Sequence, residues 1–174
     1  TGVVTATISD GDMATLSDLN ETGNAYSITI TDNSVDAAAL NTLDSKTTVT
    51  INASNITTLT GSAADLRTAY TSSGISGLGN EAVTLSDTSL AVSILNTLDL
   101  KTSGAINASS INTLTGSAAD LNTAYSSSGI SGLGNEAVNV NSGTASTSQA
   151  NNLSAATTGV VTATISDGDM ATLS

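Results

Sequence analysis

The sequence predicts an α/β solenoid, a stack of strand-plus-short-helix coils sharing one continuous parallel β-sheet, with a parallel β-helix as the alternative arrangement. Three observations carry that expectation. Residues 40–83 return 55 positions later as residues 95–138 with only eight differences, so the chain is an array of related layers. Residues 1–17 recur letter for letter as residues 158–174, an offset of 157. Inside the repeats, short stretches alternating apolar with hydroxyl residues precede apolar residues at helical spacing, and strands alternating with helices favour a parallel sheet. The whole of residues 1–174 is therefore read as a single repeat array with a 157-residue super-repeat, a window of a longer chain. A tandem duplication with ordinary ends is the other reading of the same text.

The elements follow in order. Residues 4–9 alternate as a half-buried strand and stop at Asp10-Gly11-Asp12, where Asp12 is placed to cap a short helix carrying Met13, Leu16 and Leu19. Residues 26–31 form the next strand, with Ile28 and Ile30 on one face. Val35, Ala39, Leu40 and Leu43 fall on one helical stripe, with Lys46 near its end to complement the helix dipole. In residues 49–54, Val49, Ile51 and Ala53 point inward, and Ile56 and Leu59 continue the apolar contact after a corner. Ser62 and Asp65 make a Ser-x-x-Asp capping pattern before Leu66, Ala69 and Tyr70, and Ser72-Ser73-Gly74 closes that helix. Residues 81–87 are a strand with Val83 and Leu85 inward, followed by a helix bearing Leu90, Ile94, Leu95 and Leu98. The pattern then replays as strand 105–109, helix 118–125, strand 137–141, a weaker helix around 150–156, and strand 160–166. Predicted strand starts are spaced about 22, 23, 33, 23, 32 and 24 residues apart.

Composition narrows the function classes. The chain has no Pro, Cys, His, Phe or Trp, and its three tyrosines are its only aromatics, so burial must be assembled from many small aliphatic contributions. Fifteen acidic residues against three basic ones give a net charge of −12, which repels phosphates and excludes nucleic acid as a partner. No apolar run approaches the roughly 20 residues needed to enter and cross a bilayer, so membrane insertion is not expected.

Two resemblances add to this reading. Ile28-x-Ile30-x-x-Asn33-x-Val35 resembles the strand and corner of a leucine-rich repeat; Val83-x-Leu85-x-x-Thr88-x-Leu90 follows it with Thr in the Asn position, and Gly11 and Gly143 hold that place in two further matches. This implies architecture only. The runs LNTLD, INAS, TLTGSAADL, SGISGLGNEAV and GVVTATISDGDMATL are similar to the tandem repeats of giant, acidic, cysteine-free cell-surface proteins of marine cyanobacteria and related bacteria. That resemblance spans essentially the whole chain. It implies an extracellular or cell-surface structural protein, serving adhesion, a surface coat, motility or a fibre, with no catalytic residues to transfer.

The residues themselves offer little chemistry. Without His or Cys the usual nucleophile and base dyads and zinc sites cannot be built, and Glu81 and Glu136 read as equivalent positions of two coils rather than as a catalytic pair. No enzyme activity is expected. Asp10, Asp12, Asp167 and Asp169, with Asp32 and Asp87 at comparable strand exits, are calcium candidates, because hard oxygen donors in a tight turn suit that ion; helix capping and turn formation account for the same residues without a metal. The outward strand positions Thr5, Thr7, Thr29, Thr31, Asn52, Thr84, Ser86, Asn107 and Asn139 are expected to form a flat uncharged ladder, either simply solvated or contacting glycans or another surface. The expected function is thus a structural repeat segment of an extracellular filament or giant surface protein. Its partners are identical or covalently continuous units stacked end to end, and an adhesin using the polar ladder is the alternative.

Overall fold

The computed structural model describes residues 2–168, and Asp169 of the calcium candidates lies outside them. The described residues form two compact units, 2–84 with 101–105 and 85–100 with 106–168. Short strands alternate with short helices in both, and every strand pairing is parallel, as expected of an α/β chain.

The first unit runs β1 (Thr5–Thr7), α1 (Met13–Leu16), β2 (Ala25–Ser27), β3 (Ser34–Asp36), α2 (Ala37–Asp44), β4 (Ile51–Asn52), β5 (Thr58–Gly61), α3 (Ala63–Thr71), β6 (Ile75–Ser76) and β7 (Ala82–Leu85). β1 pairs with β2 through Thr5 and Ala25, β3 with β5 through Val35 and Leu59, and β4 with β6 through Ile51 and Ile75. The Ala82 N–H donates to the Thr57 carbonyl, which sets β7 beside β5. Subtracting partner numbers, the chain of this unit returns beside itself after 20 residues at β1–β2, after 23 at the Asn24–Thr47 and Thr29–Asn52 bridges, and after 24 at β3–β5 and β4–β6.

That register corrects two expectations. The spacings of 32 and 33 are not seen, because Leu59 lies in a strand of its own, β5, rather than in a corner; residues 49–81 therefore hold three short strands, β4, β5 and β6, and an α-helix. The strands are also shared among four parallel sheets instead of one continuous sheet. A local turn explains the split: the Asn52 Oδ1 accepts from the Ser54 N–H at 3.1 Å, ending β4 two residues after it starts, and the chain re-enters extended structure in a new direction at Thr58.

Alternation still decides what is buried. Ile28, Ile30, Val35, Ile51, Ala53 and Leu59 close over Leu40 and Leu43 of α2 and Leu66 and Ala69 of α3, all at most 3% exposed. Each leucine, isoleucine or valine of this set contributes about 1.5–3 kcal/mol on burial. Val49, expected inward, is 37% exposed; its equivalent one repeat on is Gly104, so this position has no fixed apolar role. Val35 belongs to β3 and not to the helix, because Asp36 caps α2 by accepting from the N–H groups of Ala38 and Ala39. Lys46 does not cap α2 either; its Nζ donates to the Asn20 carbonyl at 3.3 Å.

The second unit contains β8 (Ser89–Ala91), α4 (Val92–Asp99), β9 (Ile106–Asn107), β10 (Thr113–Ser117), α5 (Ala118–Ser126), β11 (Ile130–Ser131), β12 (Ala137–Ser142), α6 (Thr147–Ala156) and β13 (Val161–Thr162). Leu90, Leu114, Val138 and Val161 stack across β8, β10, β12 and β13, and Ile106 stacks on Ile130 across β9 and β11. Leu90, read as helical, is thus a strand residue. α4 packs on α5 and α5 on α6, burying Leu95, Leu98, Leu121, Ala124 and Leu153. α6, weak by composition, is held at its start by a full capping box between Ser146 and Gln149.

Candidate functional surface and buried carboxylates

Each of the nine residues expected on the outer face, Thr5, Thr7, Thr29, Thr31, Asn52, Thr84, Ser86, Asn107 and Asn139, is exposed. They do not form one ladder. Strand pairing aligns Thr29, Asn52 and Ser76 in a polar row of the first unit. In the second unit Asn107 lies beside Ser131, whereas Asn139 sits on another sheet between Thr115 and Thr162. Thr5 and Thr7 lie beside Ala25 and Ser27 on β1–β2. Splitting the layers into several short strands is what disperses the set.

The acidic turn residues are occupied by backbone. Asp10 accepts from the Asp12 N–H at 3.0 Å, and Asp12 caps α1 through the N–H groups of Ala14 and Thr15. Asp32 accepts from the Met13 N–H at 2.7 Å, and Asp167 accepts from both the N–H and the hydroxyl of Thr147. These carboxylates reach back 19 or 20 residues to the start of the preceding helix, where exposed N–H groups favour negative charge. The Thr147 N–H, followed by its hydroxyl, holds the Asp167 carboxyl below its ordinary pKa. Among the described residues, no three acidic side chains gather where they could hold a metal ion.

The sequence reading missed the most elaborate polar sites, at Glu81 and Glu136, each only 1% exposed. The Tyr70 hydroxyl donates to Glu81 Oε1, and the N–H groups of Gly79 and Asn80 donate to Oε2 at 2.8 and 3.1 Å. Thr102 then donates its hydroxyl to the Glu81 carbonyl at 2.6 Å while accepting from the Gly104 N–H at 2.9 Å. The second unit repeats the arrangement with Tyr125, Glu136, Gly134, Asn135, Thr157 and Gly159. Burial, and after it the bond to its glutamate, raises the pKa of each tyrosine well above the ordinary value.

Glycine makes the close approach feasible. A Cβ at Gly104 would collide with the Glu81 carbonyl, and one at Gly159 with that of Glu136. Each carboxylate is enclosed and accepts from three donors, while the carbonyl of the same glutamate accepts from a threonine 21 residues on and so joins two layers. Its visible signal was a Tyr eleven residues before each Glu and a Thr-x-Gly beginning 21 after it, a spacing close to one layer.

A second repeated device fastens the ends of α2 and α4 to the next layer. Ser72 donates to Asp44 at 2.6 Å and Ser127 to Asp99 at 2.7 Å, and each serine also accepts from the N–H of the glycine two residues on. Asp44 and Asp99 end helices, where the dipole disfavours an anion, so these bonds offset an unfavourable placement.

One cavity of about 180 Å³ opens between α1 and α2, lined mainly by Met13, Leu16, Leu19, Ala39 and Leu43. It offers Lys46 as its one charged group and carries no constellation that would orient a substrate. Comparison of the chain with protein-family models, curated proteins and solved structures finds no match.

Proposed function

We propose that this chain is a non-enzymatic structural segment, a solenoid whose units stack end to end in an extracellular filament or giant cell-surface protein. The observation that carries the reading is the use made of polar residues. The Thr102 and Thr157 hydroxyls on the Glu81 and Glu136 carbonyls, the strand-exit aspartates and the helix-terminal aspartates all bond across one layer to the next, and the same devices recur in both units. Such side chains hold layers in register; a catalytic set would converge on a reacting atom instead. The charge of −12 supports an exterior setting by keeping a long assembly soluble.

Electron microscopy of the native material tests this reading. Thin fibres with a layer line near about 4.8 Å along the axis agree with stacked parallel layers. Discrete particles without an axial repeat overturn it.

The alternative adhesive role draws on the aligned row of Thr29, Asn52 and Ser76, which offers uncharged hydroxyl and amide groups suited to glycans. Thr29→Lys with Asn52→Lys separates the two: loss of surface attachment with fibres intact assigns the row to adhesion. Loss of fibres assigns it to lateral packing.

A further inference from the structure

Five asparagines stand in the Asn-x-Ser/Thr pattern that accepts N-linked glycans: Asn20, Asn52, Asn55, Asn107 and Asn152. The fold separates them. Asn55 uses its amide nitrogen on the Ile30 carbonyl at 2.8 Å, and Asn152 lies inside α6, where the backbone is wound into the helix. Asn20 is exposed, but among the described residues no hydrogen bond ties its side chain to Thr22. Asn52-Ala53-Ser54 and Asn107-Ala108-Ser109 are built differently. In both, the asparagine Oδ1 accepts from the serine N–H two residues on, at 3.1 Å. The alanine between them is fully buried, while the asparagine and the serine are exposed.

The next layer holds each turn from behind. Gly77 and Gly132, at positive φ, lie so close that a Cβ on either would meet the Ser54 or Ser109 nitrogen at 2.7 Å. The flanking residues leave room in front. Thr29 and Ser76 adjoin Asn52 and Ser131 adjoins Asn107, and both serines fold their hydroxyls down onto the Ile51 and Ile106 carbonyls. A turn of this kind does not itself require asparagine, since Asp10 and Asp36 accept from the N–H two residues on in the same way. What aspartate lacks is the amide nitrogen. Among the described residues, neither Nδ2 of Asn52 and Asn107 nor the hydroxyls of Ser54 and Ser109 make a hydrogen bond within the chain, whereas Ser62, Ser72, Ser117 and Ser127 all use theirs. Both units thus present the same unused amide nitrogen and hydroxyl, held at a fixed separation.

We propose that Asn52 and Asn107 are acceptors of N-linked glycans. The donor is a saccharide joined through its anomeric carbon to a diphosphate, and a separate transferase supplies the catalytic groups. The Nδ2–C bond forms at the anomeric carbon as the bond from that carbon to the diphosphate oxygen breaks. The electron pair leaves with the diphosphate, and one amide proton passes to base. The glycans then stand on the exposed polar face of each unit, 55 residues apart in sequence. This assignment rests on the exterior setting proposed above, since N-linked acceptors belong to exported chains.

Mass spectrometry of the native material tests it. Trypsin, cleaving after Lys46, Arg67 and Lys101, separates residues 1–46 with Asn20, 47–67 with Asn52 and Asn55, and 102–174 with Asn107 and Asn152. A saccharide mass increment is expected on the last two fragments, located at Asn52 and Asn107 by a fragmentation that keeps the glycan bond. Ser54→Ala and Ser109→Ala, produced in the same cells, are expected to lose the increment from their own fragments, and Ser54→Thr and Ser109→Thr to keep it. Unmodified Asn52 and Asn107 overturn the assignment. An increment on Asn20, Asn55 or Asn152 also overturns it, because the turn would not then select the acceptor, and so does one that survives Ser54→Ala or Ser109→Ala. The measurement on native material needs no variant, so a substitution that fails to fold leaves the test standing. Fibres with the axial layer spacing built from unmodified chains reject the glycans alone. Glycans at both sites on discrete particles reject end-to-end stacking and uphold the acceptors.

Discussion

At Glu81 and Glu136 a buried carboxylate is tolerated because every direction from which it is approached supplies a donor: a tyrosine hydroxyl and two backbone N–H groups. Removing one donor leaves a buried acceptor short, which typically costs about 1–3 kcal/mol. Tyr70→Phe and Tyr125→Phe are each expected to destabilise by that amount, measured as a shift in urea midpoint without a change in slope. The tyrosines also set an alkaline limit. Their pKa values are raised in the folded state, so their contribution is complete below the unfolded value of about 10 and is lost as pH rises past it. Stability is expected to fall above that pH, and to fall less steeply when both tyrosines are phenylalanine. Gly104→Ala would drive a methyl into the Glu81 carbonyl and is expected to lower the urea midpoint more than Gly143→Ala, where the Cβ meets nothing and only the positive φ of 76° opposes the substitution.

Among the elements, the helix starts differ in a way that the 55-residue repeat makes visible. α2 is capped by Asp36, but the equivalent residue before α4 is Ala91, which makes no side-chain cap bond. Ala91→Asp is expected to stabilise the chain by about 0.5–2 kcal/mol, read as a higher thermal midpoint. Ser62 and Ser117 cap α3 and α5 by accepting from Asp65 and Asp120, and Ser62→Ala should cost a similar amount. Helix packing depends on asparagine as well as leucine: Asn41 donates to the Asp65 carbonyl and Asn96 to that of Asp120, joining neighbouring helices at 2.9 and 3.0 Å. These bonds lie 24 residues apart in sequence, the same interval as the strand register.

For the whole molecule, cohesion comes from nearest-neighbour layers, so stability should grow with the number of stacked copies. A chain of two joined super-repeats is expected to unfold at a higher urea concentration than one, because each added layer brings a further nearest-neighbour interface. Association between separate copies works against a charge of −12 on each, and salt screens that repulsion over a Debye length of roughly 10 Å at 0.1 M. Raising the salt concentration should therefore strengthen association between copies, read as an increase in sedimentation coefficient.

The sequence by itself determined the repeat, the alternation of strands with helices, most inward residues and the Ser62 cap, because each is written in a spacing of two to four residues or in identical text. Ile28 and Ile30, Leu40 and Leu43, and Val83 and Leu85 were legible for that reason. Tertiary structure alone decided the 24-residue register, the division into four sheets and the enclosure of Glu81. Strands such as Ile51–Asn52 are too short for alternation to set their bounds, and their neighbours are chosen by hydrogen bonds to residues a full layer away. A glutamate's local spacing likewise says nothing of a tyrosine folded over it and a threonine 21 residues later, since only closure of the layers brings those three together.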